Sequence, residues 1–205
     1  MTDLILASAS SRRAEILQQI GVTFQIAPAD IDETPMSQEL PIDYVQRMAQ
    51  EKARHVIDTV AGSSTVVLGA DTSVVLGNKI YGKPKNQEEA MVMLADLSGK
   101  THQVLTAVVM GNNLRCALKL SATDVKFREL DPRECLDYWK TGEPSDKAGG
   151  YAIQGLGAVF VEKISGSYSG VVGLPIEQTA QLLQTFKVPI WGTVHKKNNF
   201  LSRSH

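Results

Sequence analysis

The sequence predicts an α/β protein on three observations. Short apolar runs, DLILAS, TVVLGAD and HQVLTAVVM, read as strands, and two of them are too continuously apolar for a sheet with one wet face. Segments with apolar residues at helical spacing are interleaved with these runs. The stretch SVVLGNKIYG adds a Gly-Asn hairpin signal between two β-branched runs.

In chain order, DLILAS gives the first strand. Residues 14–20 follow as a helix that places Ile16, Leu17 and Ile20 on one face. Residues 42–60 repeat Val45, Met48, Ala49, Ala53, Val56, Ile57 and Val60 at helical spacing, which predicts a long amphipathic helix. TVVLGAD reads as a buried strand ending at Asp71, and SVVLGNKIYG as the hairpin after it. Helices are expected over 87–97, 131–140 and 175–186. Between the last two, DKAGGYAIQGLGAVFVEKISGSYSGVVGLP reads as a β-rich segment studded with glycines, where backbone turns tightly or approaches a ligand. Residues 1–190 are read as a single domain. The tail 191–205 is basic and without periodicity, and is expected to pack loosely.

At 205 residues the chain buries a full core. Its 43% hydrophobic and 21% charged residues are those of a soluble globular enzyme, and a formal net charge of −1 disfavours a polyanion-coating surface, hence nucleic acid as a partner. Cys116 and Cys135 have neither metal-ligand nor disulfide spacing, and His55, His102, His195 and His205 are scattered, so zinc has little support. Asp3 precedes the first apolar run, unlike a signal peptide, and no apolar stretch approaches a membrane span. A cytoplasmic protein is expected.

The stretch SASSRR stands between a strand and a helix, and cations there oppose the positive end of the helix dipole unless an anion joins them. Backbone N–H groups near Ser8 to Ser11 could face a phosphate, whose charge the helix dipole would favour. Ser8 and Ser10 with the forked donors of Arg12 and Arg13 would suit a phosphate. A serine cap followed by a solvated basic turn explains the same residues. LADLSGKTH imitates the end of a phosphate-binding loop, but the first glycine that motif requires falls at Leu94 and the stretch closes a helix instead of opening one, so a helix C-cap is expected. Lys52 lies inside the apolar stripe of its helix, where an ammonium needs an anionic ligand or a carboxylate, or must snorkel out. Asp71 stands where a buried run reaches a sheet edge, with Thr72 next to it, and Glu33 in DIDET and Lys83 in GKP add a carboxylate and a cation on loops. Carboxylates with lysines and arginines suit metal-assisted attack on a polyphosphate.

In order and spacing, SASSRR, DETP, EKAR, GADT, GKP, LSGKTHQVLT, DKAGGYAIQG and GSYSGVVGLP resemble the Maf family of nucleoside triphosphate pyrophosphatases over roughly residues 4–186. The resemblance implies an elongated mixed sheet flanked by helices, in two lobes around a cleft, as in the inosine triphosphate pyrophosphatases. It implies hydrolysis between the α- and β-phosphates with a divalent metal, Mg2+ or Mn2+, for nucleotide-pool housecleaning. Asp71 then corresponds to the proton acceptor for the attacking water, with Glu33 beside it in metal or water binding. Arg13, Lys52 and Lys83 correspond to phosphate-holding cations, and Arg12, Thr72 and Gln154 to positions that choose the base. Ser11 stands where the family usually has proline, which loosens the turn without removing a donor.

A sister branch of the family that takes 7-methyl-GTP has a longer loop before its arginines, a glutamine after the aspartate and a glutamate in the later motif, so the short SSRR loop, Thr72 and Gln154 resemble the branch that takes dTTP and UTP. The neutral amide both donates and accepts, as a uracil or thymine edge requires. A regulatory nucleotide-binding inhibitor of septum formation, acting through a partner, is the competing class. The carboxylate pair favours the enzyme, since binding phosphates needs only cations and amides. A homodimer is compatible with such a fold.

Overall fold

The computed structural model describes residues 3–60 and 65–192. Strand β1 (Leu4–Leu6), helix α1 (Ser11–Gln19), β2 (Gln25–Ile26) and α2 (Pro41–Ile57) come first. Then follow β3 (Val66–Leu76), β4 (Lys79–Tyr81), α3 (Gln87–Leu97), β5 (Thr101–Gly111) and β6 (Cys116–Phe127). Helix α4 (Pro132–Lys140), β7 (Val161–Ser165), α5 (Tyr168–Val172) and α6 (Ile176–Thr185) complete the order. Among the described residues seven strands form one mixed sheet, β2-β1-β3-β5-β6-β7, with β4 also on β3. β1 pairs in parallel with β2 and β3, and the other pairings are antiparallel.

The long strands β3, β5 and β6 run through both lobes. At one end of the sheet Leu68, Ala70, Val108 and Met110 pack on α1 and α6, and on the opposite face Val67, Ala107 and Val109 pack on α2. At the other end Val74, Val104, Val125 and Phe127 form a separate core with α3 and α4. Where the lobes meet, apolar residues give way to Thr72, Thr106 and Ser121, which stand side by side on neighbouring strands. His102 is buried in the second lobe, with Nε2 2.8 Å from the Tyr151 hydroxyl, and its pKa falls to about 4 because burial disfavours the charged ring.

Two expectations are corrected. Asp71 does not end a strand: TVVLGAD and SVVL are one strand, β3, and Asp71 is in its middle. The polar residues Asp71-Thr72-Ser73 interrupt the apolar run without interrupting the ladder, since Asp71, Thr72 and Ser73 pair with Ala107, Thr106 and Leu105. The glycine-rich segment after α4 is mostly not β. A 3₁₀ turn at Glu143–Asp146 leads into it, and it holds 3₁₀ turns at Ala148–Gly150 and Leu156–Phe160, then only five residues of strand and the short α5. Gly149 and Gly150 have φ of 68° and 69°, which strands do not accommodate. The Glu143 carboxylate takes the N–H groups of Leu156 and Gly157, both at 3.0 Å, where a neighbouring strand would otherwise have accepted them.

Helix α1 begins at Ser11, three residues before the periodic stretch, so both arginines lie in its first turn. Gly99, at φ 68°, follows the end of α3 as a helix terminator. Of the tail, Trp191 and Gly192 donate backbone N–H groups to the carbonyls of Ile20 and Gly21, and residues 193–205 lie outside the described residues. Among the described residues no helix is long and apolar enough to cross a membrane.

Gly69 sets how closely α2 approaches β3. A Cβ there would fall 2.5 Å from the Ala49 carbonyl oxygen and 2.7 Å from the Ala53 nitrogen, both backbone atoms that cannot swing aside. One turn of α2 beyond Ala49 carries Lys52, so this contact also fixes the distance from Lys52 to β3. Gly69→Ala is expected to cost about 1–3 kcal/mol in urea unfolding, as overpacked sites do, and to lower catalytic efficiency along with it.

Candidate active site

The site follows from a gap in strand pairing. β1 pairs with β3 as far as Leu6 on Leu68, with one further bond from the Ala7 N–H to the Leu68 carbonyl. β4 takes up the same edge only at Val74. Between Leu68 and Val74, β3 therefore has a paired strand on its β5 side alone. Alternate residues of a strand face opposite sides of the sheet, so Asp71 faces α2 and Thr72 faces α1 and α5. Through the gap one cavity of about 940 Å³ reaches both.

On the α2 side Lys52 Nζ lies 2.7 Å from Asp71 Oδ1 and 2.8 Å from Glu33 Oε1. Lys52 is 8% exposed and Asp71 6%, so each charge depends on the other, while half of the Glu33 side chain is in water. Burial pushes the Glu33 carboxyl up, but the hydrogen bond to Lys52 and the charges of Lys52, Lys83 and Arg13 outweigh it and hold its pKa below the ordinary value. Asp71 Oδ2 is 3.4 Å from the Ser73 hydroxyl.

On the other side Arg13 is buried at the start of α1. Its Nε donates to the Gly173 carbonyl at 2.9 Å, Nη1 to Ser8 Oγ at 3.0 Å and Nη2 to Thr72 Oγ1 at 3.2 Å. Thr106 Oγ1 donates to Thr72 Oγ1 at 3.0 Å or to the Gly170 carbonyl at 2.7 Å. Arg13 thus spends three of its five N–H groups on protein, leaving one on each terminal nitrogen. Burial lowers its pKa, and Asp71 and Glu33 partly restore it. Arg12 is 3.6 Å from Asp146, which also pairs with Lys147.

All ten residues singled out from the sequence, Ser8, Ser10, Arg12, Arg13, Glu33, Lys52, Asp71, Thr72, Lys83 and Gln154, line this one cavity. Ser10 caps α1 without a side-chain bond to the helix, and Arg13 is buried, so the solvated basic turn does not describe this helix start. Gln154 and Arg12 also form the wall of a smaller apolar pocket beside Tyr168. The structure adds Tyr44, Ser73, Asp146, Lys147 and Tyr151 to the lining. Lys147 and Tyr151 lie inside DKAGGYAIQG and were legible there as polar residues among close-approach glycines. Ser73 and Tyr44 gave no sequence signal.

Glu33 and Asp71, brought together at Lys52, are two carboxylates of the cavity that could hold a hard cation. Among the described residues no cluster of three or more His, Cys, Asp or Glu has ligand geometry. Two carboxylates nevertheless fit Mg2+ or Mn2+, which keep waters and take further oxygens from a bound phosphate.

A mixed α/β sheet, opened at one edge into a nucleotide-sized cleft with carboxylates on one side and arginines on the other, defines a protein able to hold a polyphosphate and act on it. The family model described as Maf-like protein matches residues 3–186, and the chain belongs to this family. The dTTP/UTP pyrophosphatase of Alcanivorax borkumensis is 53% identical over 189 residues, 92% of this chain and 97% of that protein. The dTTP/UTP pyrophosphatase of Saccharophagus degradans is 49% identical over 191 residues, 92% and 91%. Among solved structures, a HAM1 protein from Coxiella burnetii matches with a TM-score of 0.46 at 14% identity, covering 90% of this chain and all of that one.

The Arg13 fork gives a direct test. Arg13→Lys keeps the charge but reaches only one of the three acceptors, leaving two of Ser8 Oγ, Thr72 Oγ1 and the Gly173 carbonyl without this donor. It is expected to lower stability by about 1–3 kcal/mol in urea unfolding, and to raise the KM for a triphosphate more than it lowers kcat.

Proposed function

We propose that the protein hydrolyses nucleoside triphosphates, dTTP and UTP by preference, to the nucleoside monophosphate and pyrophosphate. The observation that carries this reading is the buried Asp71, charge-balanced by Lys52 and facing the same cavity as the arginine-rich start of α1. Relatives at about half identity over nine-tenths of the chain bear the name of this activity.

The triphosphate lies along the gap in the sheet. Arg13, fixed by its three hydrogen bonds, offers its two remaining N–H groups to phosphate oxygens with no reorganisation. Lys83 and Arg12 add charge from the β4–α3 loop and from α1. Asp71 accepts the proton of the attacking water, and Lys52 balances its charge so that the carboxylate tolerates its apolar surroundings. Glu33 and Asp71 would hold Mg2+ or Mn2+, which would supply charge neutralisation of the phosphates when bound. Expulsion of pyrophosphate leaves two products, each still anionic and each facing cations.

Base choice falls to Thr72, Arg12 and Gln154. Thr72 Oγ1 lies within hydrogen-bond distance of Arg13 and Thr106, so the oxygen has a fixed place in the cavity wall. Gln154 presents a neutral amide, able to pair with the alternating carbonyl and N–H edge of uracil or thymine. The cationic ring of a 7-methylguanine would gain from a carboxylate in that place and finds none.

Purified protein with Mg2+ or Mn2+ is expected to release pyrophosphate from dTTP and UTP with higher kcat/KM than from 7-methyl-GTP. Asp71→Asn is expected to lower kcat roughly 10²–10⁴-fold, with the folded state intact by circular dichroism. A faster reaction on 7-methyl-GTP would overturn the assigned substrate, and near-normal turnover in Asp71→Asn at saturating metal would overturn its role as base.

A further inference from the structure

The stretch that carries Glu33, between β2 and α2, has no regular secondary structure. With half of the Glu33 side chain exposed, packing alone does not place its carboxylate 2.8 Å from Lys52. Two side chains of α2 reach back to the backbone around it. Tyr44 Oη donates to the Glu33 carbonyl at 2.9 Å. Arg47 Nη2 donates to the next carbonyl, that of Thr34, at 3.2 Å.

Arg47 also grips the far end of the same stretch. Its Nε and Nη2 hold the two oxygens of Glu39 at 2.6 and 2.7 Å, and Glu39 in turn accepts the Met36 N–H at 3.0 Å. The Arg47 guanidinium lies 5.6 Å from the centre of the Tyr44 ring, so the two anchors support one another. Burial pushes the Tyr44 phenol up to about 12, which keeps its proton, and so its donor, in place at any working pH. Lys52 belongs to the same helix, so α2 supplies both the cation and the two fasteners that bring the carboxylate to it.

We propose that Tyr44 and Arg47 are positioning residues for Glu33, fastening the backbone at its carbonyl and just after it to α2 so that its carboxylate meets Lys52 and faces the reacting phosphate. The inference rests on the reading of Glu33 as a working carboxylate of the site. Neither residue touches the reacting atoms in this role. Each acts only through Glu33, and its effect therefore vanishes when Glu33 no longer contributes. Supporting groups one shell behind a working ligand typically matter at the level of 10- to 100-fold.

The test is a kinetic double-mutant cycle on the full chain with dTTP and Mg2+, in which Tyr44→Phe and Arg47→Met are each measured with Glu33 present and with Glu33→Gln. Tyr44→Phe removes one hydroxyl and keeps the ring. It is expected to lower kcat/KM about tenfold in the first background and less than about twofold in the second. Arg47→Met is expected to show the same non-additivity, and Arg47→Lys, which keeps the charge but not the fork, replaces it if the methionine variant folds poorly. Equal losses in both backgrounds would overturn the positioning role alone. A Glu33→Gln variant as active as the unmodified protein would overturn the role of Glu33 and the proposal with it.

Discussion

One ammonium group, Lys52 Nζ, makes the rest of the site possible. Asp71 is nearly inaccessible to water in the middle of a strand, and on its face of that strand only Gly69 and the Ser73 hydroxyl stand between it and the apolar Val67 and Val75. A carboxylate in such surroundings requires a partner, since an unpaired buried charge costs several kcal/mol. Lys52 supplies the partner from an apolar helix face that could not otherwise hold a lysine. Each charge is thus the reason the other is tolerated, and Glu33 completes the set from the wetter side. That pairing in turn depends on Gly69, whose missing side chain lets α2 lie against the strand.

The second constraint is the short β1. Had it continued four residues further along β3, the sheet would have been closed at Asp71 and Thr72, and residues on its two faces could not have shared a ligand. Because it stops at Leu6, the carboxylates of one face and the arginine of the other meet in one cavity. The turn after β1 then delivers Ser8 and the first turn of α1 to the opening. Arg12 and Arg13 sit at the positive end of a helix with no acidic residue in its first turn. That placement is unfavourable for a bare protein and favourable for one that receives polyanions.

Much of this was legible in the sequence where a residue contradicted its surroundings. Lys52 stood out because it broke an apolar stripe, and the paired arginines because they began a helix. The course of β3 was not legible: Asp71-Thr72-Ser73 looks like a break between two strands, and only the ladder to β5 shows that it is one strand crossing between two cores. The glycine-rich segment misled for a related reason. Its β-branched residues resemble strands, but its N–H groups find Glu143 and its glycines adopt positive φ. Tyr44 and Arg47 carried no signal toward Glu33, because the acceptors by which they hold its stretch at Glu33 and Thr34 are backbone carbonyls in a loop, and a carbonyl is the same at every residue.

The claim that Lys52 and Asp71 tolerate burial only as a pair is tested most directly by equilibrium urea unfolding of Lys52→Met, Asp71→Asn and the double variant at neutral pH. Removing Lys52 alone leaves Asp71 buried without its cation, and a loss of about 3–5 kcal/mol is expected, as for other broken buried pairs. Adding Asp71→Asn removes the orphaned charge, so the double variant is expected to recover most of that loss. Losses that simply add would contradict the account, because they would mean that neither charge depends on the other.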